Sequence, residues 1–285
     1  MSRIKVLTDS GSDITLEQAK EFDIGFIPIC LTFDGETVLQ DKYDISSEEF
    51  YKRLRETGEI PKTTQITPGK FSEVFTSYAN DYDELIVFLI GSNTSGTFQN
   101  AFNAKSEVEE KTNLKIHLVD TQLLSMGYGY VALRAAQMVK EGLSSNEIIP
   151  KCESMLKSCY TLFAVETLDF LKKGGRIKTA TAIIGGMLDI RPILTVTDGL
   201  VHAIEKVKGE KKVFPKFMDL LAPKIAEMKN PKIIILNSDV PEKAEKLTSM
   251  VKEKFDLDTA VNGPVGVIIG AHAGPGVLGV IAIDD

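Results

Sequence analysis

Residues Leu85–Ile90 run apolar without interruption and stop at "GSNTSGT", residues 91–97, before a stretch with helical character. A strand with no polar face has to be covered on both sides, which calls for helices above and below a mostly parallel sheet. The same order recurs along the first half. "IKVLTDS" is a short apolar strand closed by a polar turn, and Thr15 then starts a helix with Gln18 at capping-box spacing. "DIGFIPICLTF" is strand-like ahead of an Asp34–Gly35 turn, and "KIHLVDT" supplies a further strand. Helical patterns fill the intervals at 47–56, at 70–80 behind Pro68 and Gly69, and at Tyr128–Lys140 up to Gly142. In sheets of this kind ligands bind beyond the carboxyl ends of the strands, where the polar turns 8–13 and 91–97 fall.

The second half reads differently. A helix over 145–157 precedes "YTLFAVET", and a helical stretch then ends at Gly174–Gly175. "RPILTVTDGLVHAIEKV" has the pattern of a hairpin turning at Asp198–Gly199. "KIIILNS" and two strands within 264–283 complete a mixed sheet. That last segment is long and apolar, but Gly270, His272, Gly274, Pro275 and Gly276 interrupt it, so two buried strands around a loop are expected rather than a membrane span. The expected architecture is a two-domain α/β fold. Its N-terminal domain, 1–160, has a mainly parallel sheet flanked by helices, and its C-terminal domain, 161–285, is a mixed-sheet α/β unit.

A net charge of −7 argues against a nucleic-acid binder, which would carry a basic face. The basic runs 172–178 and 206–212 read as solvated surface, with partner docking as the alternative. Cys30, Cys152 and Cys159 are too few and too far apart for a disulfide framework or metal cluster, as in a reducing compartment. The N-terminus reads directly as a strand without the apolar core of a signal peptide, so a cytoplasmic protein is expected.

Four clusters could carry chemistry. Ser92, Thr94, Ser95, Gly96 and Thr97 offer hydroxyls and free N–H groups at a helix start, which suits either capping or anion binding. The turn lacks the Gly-Lys-Ser/Thr ending of a Walker loop. In "KTTQITPG", Thr67 is explained as a helix cap, whereas Thr63 and Thr64 are not. In "AHAGPG", His272 follows an apolar strand among glycines that allow close approach. The acidic turn "TDSGSD" reads as turn chemistry rather than a metal site, and no metal or other cofactor is expected.

Taken together, "TDSGSD", "KTTQITPG", "GSNTSGTFQ", "ETLDFLKKGGRI", "RPIL" and "HAGPG", in this order, resemble the DegV family of bacterial fatty-acid-binding proteins, the FakB type. The resemblance implies two α/β domains with one acyl chain in a buried tunnel. Its carboxyl group would be held by Thr63, Thr64, Ser92, Ser95 and Gly96 with His272 close by. It implies a carrier without catalytic residues. Such a carrier presents a long-chain fatty acid, such as palmitate, stearate or oleate, to an ATP-dependent fatty acid kinase for phospholipid synthesis, with transient membrane contact. Thr64 stands for the usual serine, Ile66 for proline, Gly91 for the first serine of a pair and Arg191 for lysine. Lys208 replaces an arginine associated with the kinase, so Arg191 and Lys208 are the expected partner-binding residues, with a planar fork lost at Lys208. The expected carboxyl site consists of neutral donors without a cation. Two other readings stay open. One is an esterase with Ser95 as nucleophile, His272 as base and Asp9 as its orienter, although no Gly-x-Ser-x-Gly elbow exists. The other is a binder of a small phosphorylated ligand.

Overall fold

The computed structural model describes residues 2–177 and 189–285. The first half runs β1 (Ile4–Asp9), α1 (Leu16–Glu21), β2 (Ile24–Ile27), β3 (Cys30–Thr32), β4 (Leu39–Gln40), α2 (Ser47–Thr57), β5 (Lys62–Thr64), α3 (Pro68–Tyr78), β6 (Glu84–Leu89), α4 (Thr97–Lys111) and β7 (Lys115–Asp120). Helices α5 (Met126–Lys140) and α6 (Ser145–Ser158) lead to β8 (Tyr160–Ala164) and α7 (Asp169–Lys173). The remainder is β9 (Ile190–Thr197), β10 (Leu200–Lys208), α8 (Val213–Glu227), β11 (Pro231–Asn237), α9 (Pro241–Phe255), β12 (Thr259–Pro264), α10 (Val267–Ala273) and β13 (Leu278–Asp284).

Local chemistry explains many of these boundaries. Thr15 and Ser46 each close a reciprocal capping box, with Gln18 and Glu49. Thr67 caps α3, whose first residue is Pro68. Strand β1 is buried along its whole length, as a central strand covered by helices must be. It pairs in parallel with β2 on one side and β6 on the other, and β7 extends the sheet to the order β2-β1-β6-β7. A small antiparallel sheet, β4-β3-β5, carries Thr63 opposite Leu31.

The second large sheet has the order β10-β9-β8-β13-β11-β12, antiparallel except between β11 and β12. The expected hairpin turns at Asp198 and Gly199, both with positive φ. Period-two alternation divides the sheet's residues between two cores. Leu162, Leu278, Val280 and Ala282 join the cluster under α8 and α9. Phe163, Val277 and Ile281 join a cluster shared with Val6, Ile86 and Phe88 of the first sheet and with α5. The space between the two sheets is where the candidate site lies.

One expectation is corrected. Residues 264–283 are not two strands around a loop: Val267–Ala273 is helix α10, between the end of β12 and β13. The helix is apolar on nearly every face because it is covered on nearly every face. Val267, Ile268 and Ala271 pack into one core cluster, while Ala273 belongs to another. A side chain at Gly270 would collide with the Tyr51 ring of α2, whose hydroxyl donates to Val265 O at 2.9 Å. The apolar stretch "AIIGGML" (182–188), whose small and branched residues suit either a tail's path or simply a core helix, lies outside the described residues.

Candidate ligand-binding site

A cavity opens between the sheets, with room for the centre of a water-sized sphere to range over about 110 Å³. Much of its wall is aliphatic or aromatic: Ile29, Ile90, Leu124, Phe163, Leu171, Val196, Leu236, Ile268, Val277 and Ile281 among others. Polar side chains from distant parts of the chain contribute a polar band to this wall. Thr63, Thr64 and Gln65 come from β5 and the turn after it, Thr94 and Ser95 from the turn before α4, Arg176 from the segment after α7, and His272 from the last turn of α10.

Contacts join this band. Thr63 Oγ1 and His272 Nε2 share a hydrogen bond of 2.9 Å. His272 packs against Gly174, where any β-carbon would collide with its Nδ1. Arg176 Nη1 donates to Gly174 O, which places the guanidinium on the same loop. Gly96 leaves room for the Gln65 amide, whose oxygen accepts from Asn100 Nδ2 at 3.2 Å. Ser95 Oγ lies 2.9 Å from Thr97 Oγ1 and accepts from the Thr97 N–H at 3.3 Å, so it caps α4 while lining the cavity. Both functions weighed for this turn are therefore compatible.

The turn is fastened from outside. Thr94 Oγ1 donates to Gly199 O, and Asn93 Nδ2 donates to Asp198 O at 2.9 Å. Gly91, which stands where the family pattern has serine, is closely hemmed in: a β-carbon there would sit 3.0 Å from Gln122 Cα and 3.2 Å from Gly199 Cα.

Burial pushes the His272 imidazole down to about 4, helped by the Arg176 cation, so the ring is neutral near pH 7. Its Nδ1 is buried and has no hydrogen-bond partner among the described residues. With no carboxylate on Nδ1, the His272 ring lacks the orienting group a hydrolytic triad needs. Asp9, weighed as that group, instead accepts from Gly11 N, Ile90 N and the Tyr128 hydroxyl. Ser95 bonds Thr97 rather than His272. The esterase geometry is not assembled.

The structure places the remaining expected residues as follows. Ser92 lies outside the cavity wall: its N–H donates to Asp120 Oδ1 and its hydroxyl accepts from Gln122 Nε2. Gly96 makes space rather than wall. Arg191 lines a separate cleft with Glu166, Glu210 and Lys243, and donates to Glu166 O. Lys208 is exposed at the end of β10. The cation-free site is corrected, because Arg176 borders the cavity. It lies within the basic run 172–178, whose pattern alone reads as solvated surface. The available signal was its place after Gly174–Gly175 and before the buried Ile177.

Ser125 is a second polar residue that composition alone did not mark. It borders the cavity in a left-handed backbone (φ 56°) that a serine seldom adopts, and its hydroxyl donates to Asp13 Oδ2 behind the wall. Among the described residues, no group of three or more His, Cys, Asp or Glu is placed to hold a metal ion, and no helix is long and apolar enough to cross a membrane.

The cavity between the two sheets, bordered by hydroxyls, an imidazole and a guanidinium, has a lining that suits a molecule with a polar head and an apolar body. Comparison with known proteins gives the lineage. A family model described as an uncharacterised protein of the DegV family matches residues 3–285, and the chain belongs to that family. A DegV domain-containing protein of Caldanaerobacter subterraneus is 33% identical over 280 residues, covering 98% of each chain. Two solved structures share the fold. The fatty-acid-binding DegV family protein of Thermus thermophilus has a TM-score of 0.91 at 28% identity, covering 99% of this chain and 100% of its own. DegV of Bacillus subtilis, a fatty acid binding protein, has a TM-score of 0.89 at 28% identity, covering both chains fully.

Proposed function

We propose that the protein is a carrier that binds one long-chain fatty acid, the acyl tail in the cavity and the carboxylate at the band formed by Thr63, Thr64, Ser95, Arg176 and His272. The observation that carries this reading is a mainly apolar cavity wall on which Thr63, His272 and the Arg176 loop come together. The fatty-acid binding of the two related structures supports it.

The energetics agree. Each buried methylene is worth about 0.8 kcal/mol, so roughly fourteen contribute on the order of 11 kcal/mol before association costs. An unpaired buried carboxylate would cost several kcal/mol, and the Arg176 guanidinium with the Thr63 and Ser95 hydroxyls offsets that cost. If His272 Nε2–H donates to Thr63 Oγ1, the threonine hydroxyl is free to donate onward to the ligand. A small phosphorylated ligand could also use Arg176, but it would leave the apolar wall unfilled.

The resemblance to FakB carriers further suggests that the bound acid is presented to an ATP-dependent fatty acid kinase, whose acyl-phosphate product feeds phospholipid synthesis. Arg191 and Lys208 are the proposed docking residues. Native mass spectrometry of the purified protein tests the first part: a co-purifying mass matching a C14–C18 acid is expected. An empty protein that is also unchanged in thermal midpoint by oleate or palmitate would refute it. For the second part, mixing with a fatty acid kinase and ATP should yield acyl-phosphate, and Lys208→Ala should reduce the rate without changing oleate affinity.

A further inference from the structure

Val277, just ahead of β13, and Gly279 and Ile281 within it border the cavity, while Leu278, Val280 and Ala282 face the opposite core. The middle cavity-facing position is therefore a glycine between two branched residues. Glycine is costly in a strand interior and there marks a bulge or the close approach of another group. No bulge exists here: Gly279 pairs in regular register with Phe163 of β8 and Leu236 of β11. Its backbone is not left-handed, and nothing crowds it. A β-carbon would meet Phe163 Cβ at 3.5 Å, Leu162 O at 3.7 Å and Leu236 Cβ at 3.8 Å, all ordinary contacts. Neither conformation nor packing with the protein itself requires the missing side chain.

We infer that Gly279 is a specificity-determining residue: its bare backbone forms a notch in the inner face of the sheet that seats the distal part of the ligand's acyl chain. The inference rests on the proposed fatty-acid-binding function. Its neighbours are Leu162, Phe163 and Leu236 rather than members of the polar band, so the notch serves the tail and sets which chain lengths fit. A side chain there takes the place of tail carbons, and each methylene excluded from the cavity weakens binding about fourfold.

Gly279→Ala and Gly279→Val test this, with affinities measured for octanoate, laurate, palmitate and stearate. Both variants are expected to fold, with thermal midpoints no lower than the parent's. The ratio of stearate to octanoate affinity should fall about fourfold in the alanine variant and tenfold or more in the valine variant. Unchanged ratios in a folded alanine variant would overturn the notch while leaving fatty-acid binding intact. A parent protein that binds none of the four acids would overturn both.

Discussion

At the scale of single residues, the site depends on how tightly its imidazole is held. Gly174 has an ordinary backbone (φ −70°), so alanine there is conformationally harmless. Its β-carbon would nonetheless collide with His272 Nδ1. Gly174→Ala should therefore displace the imidazole and lower fatty-acid affinity about tenfold, the worth of one good hydrogen bond to a charged group, with a circular dichroism spectrum that stays that of the parent. Ser95→Ala and His272→Ala should each weaken binding in titrations with a fluorescent fatty acid while the circular dichroism spectrum stays that of the parent. Unchanged affinity in both would remove these residues from the site. Much of the polar band could be read from the sequence, because hydroxyls ahead of helices with no capping duty, such as Thr63, are conspicuous. Arg176 could not, since a basic run looks the same whether its last member points to water or to a cavity. Ser92 shows the converse. A hydroxyl in the right turn can face outward, and here Gln122 claims it.

At the scale of elements, much of the strand–turn–helix order was legible because some helix starts carry their own chemistry: the capping box at Thr15 and Pro68 at the head of α3. Helix α10 was not legible. An apolar run shows no period when both sides are buried, and glycines allow strand and helix alike. Tertiary contacts decide the matter, notably the Tyr51 hydroxyl on Val265 O just ahead of the helix. Tyr51→Phe leaves that carbonyl buried without its donor and should cost about 1–2 kcal/mol, read from urea unfolding. Fatty-acid affinity should fall with it if α10 shifts, because the same helix carries His272.

At the scale of the whole molecule, three buried acids set the response to pH. Burial pushes Asp9 to about 6, Asp13 to about 7 and Asp41 to about 6. Around Asp13 stand the Lys42 ammonium and the Ser125 hydroxyl, which favour its charged form, and Asp41, which opposes it. A carboxyl whose folded value lies above its unfolded one stabilises fully below the unfolded value near 3.8, and loses that contribution as pH rises through the folded value. His272 acts in the other direction, its contribution fading as pH falls from 6.5 towards 4. Asn keeps the shape of Asp13 and tolerates its left-handed backbone (φ 58°). The thermal midpoint of Asp13→Asn relative to the parent should therefore climb between pH 4.5 and 7.5, and a flat difference would show that Asp13 is already ionised at pH 4.5. The ladle-shaped turn at 91–97 carries a different consequence. Its Asn93 and Thr94 clasp a hairpin tip more than a hundred positions downstream. During synthesis the early half can lay out its hydroxyls, but they stay unlatched until Asp198 and Gly199 have emerged and folded back. For the proposed carrier, a chain truncated before Asp198 would lack this clasp and should bind no fatty acid.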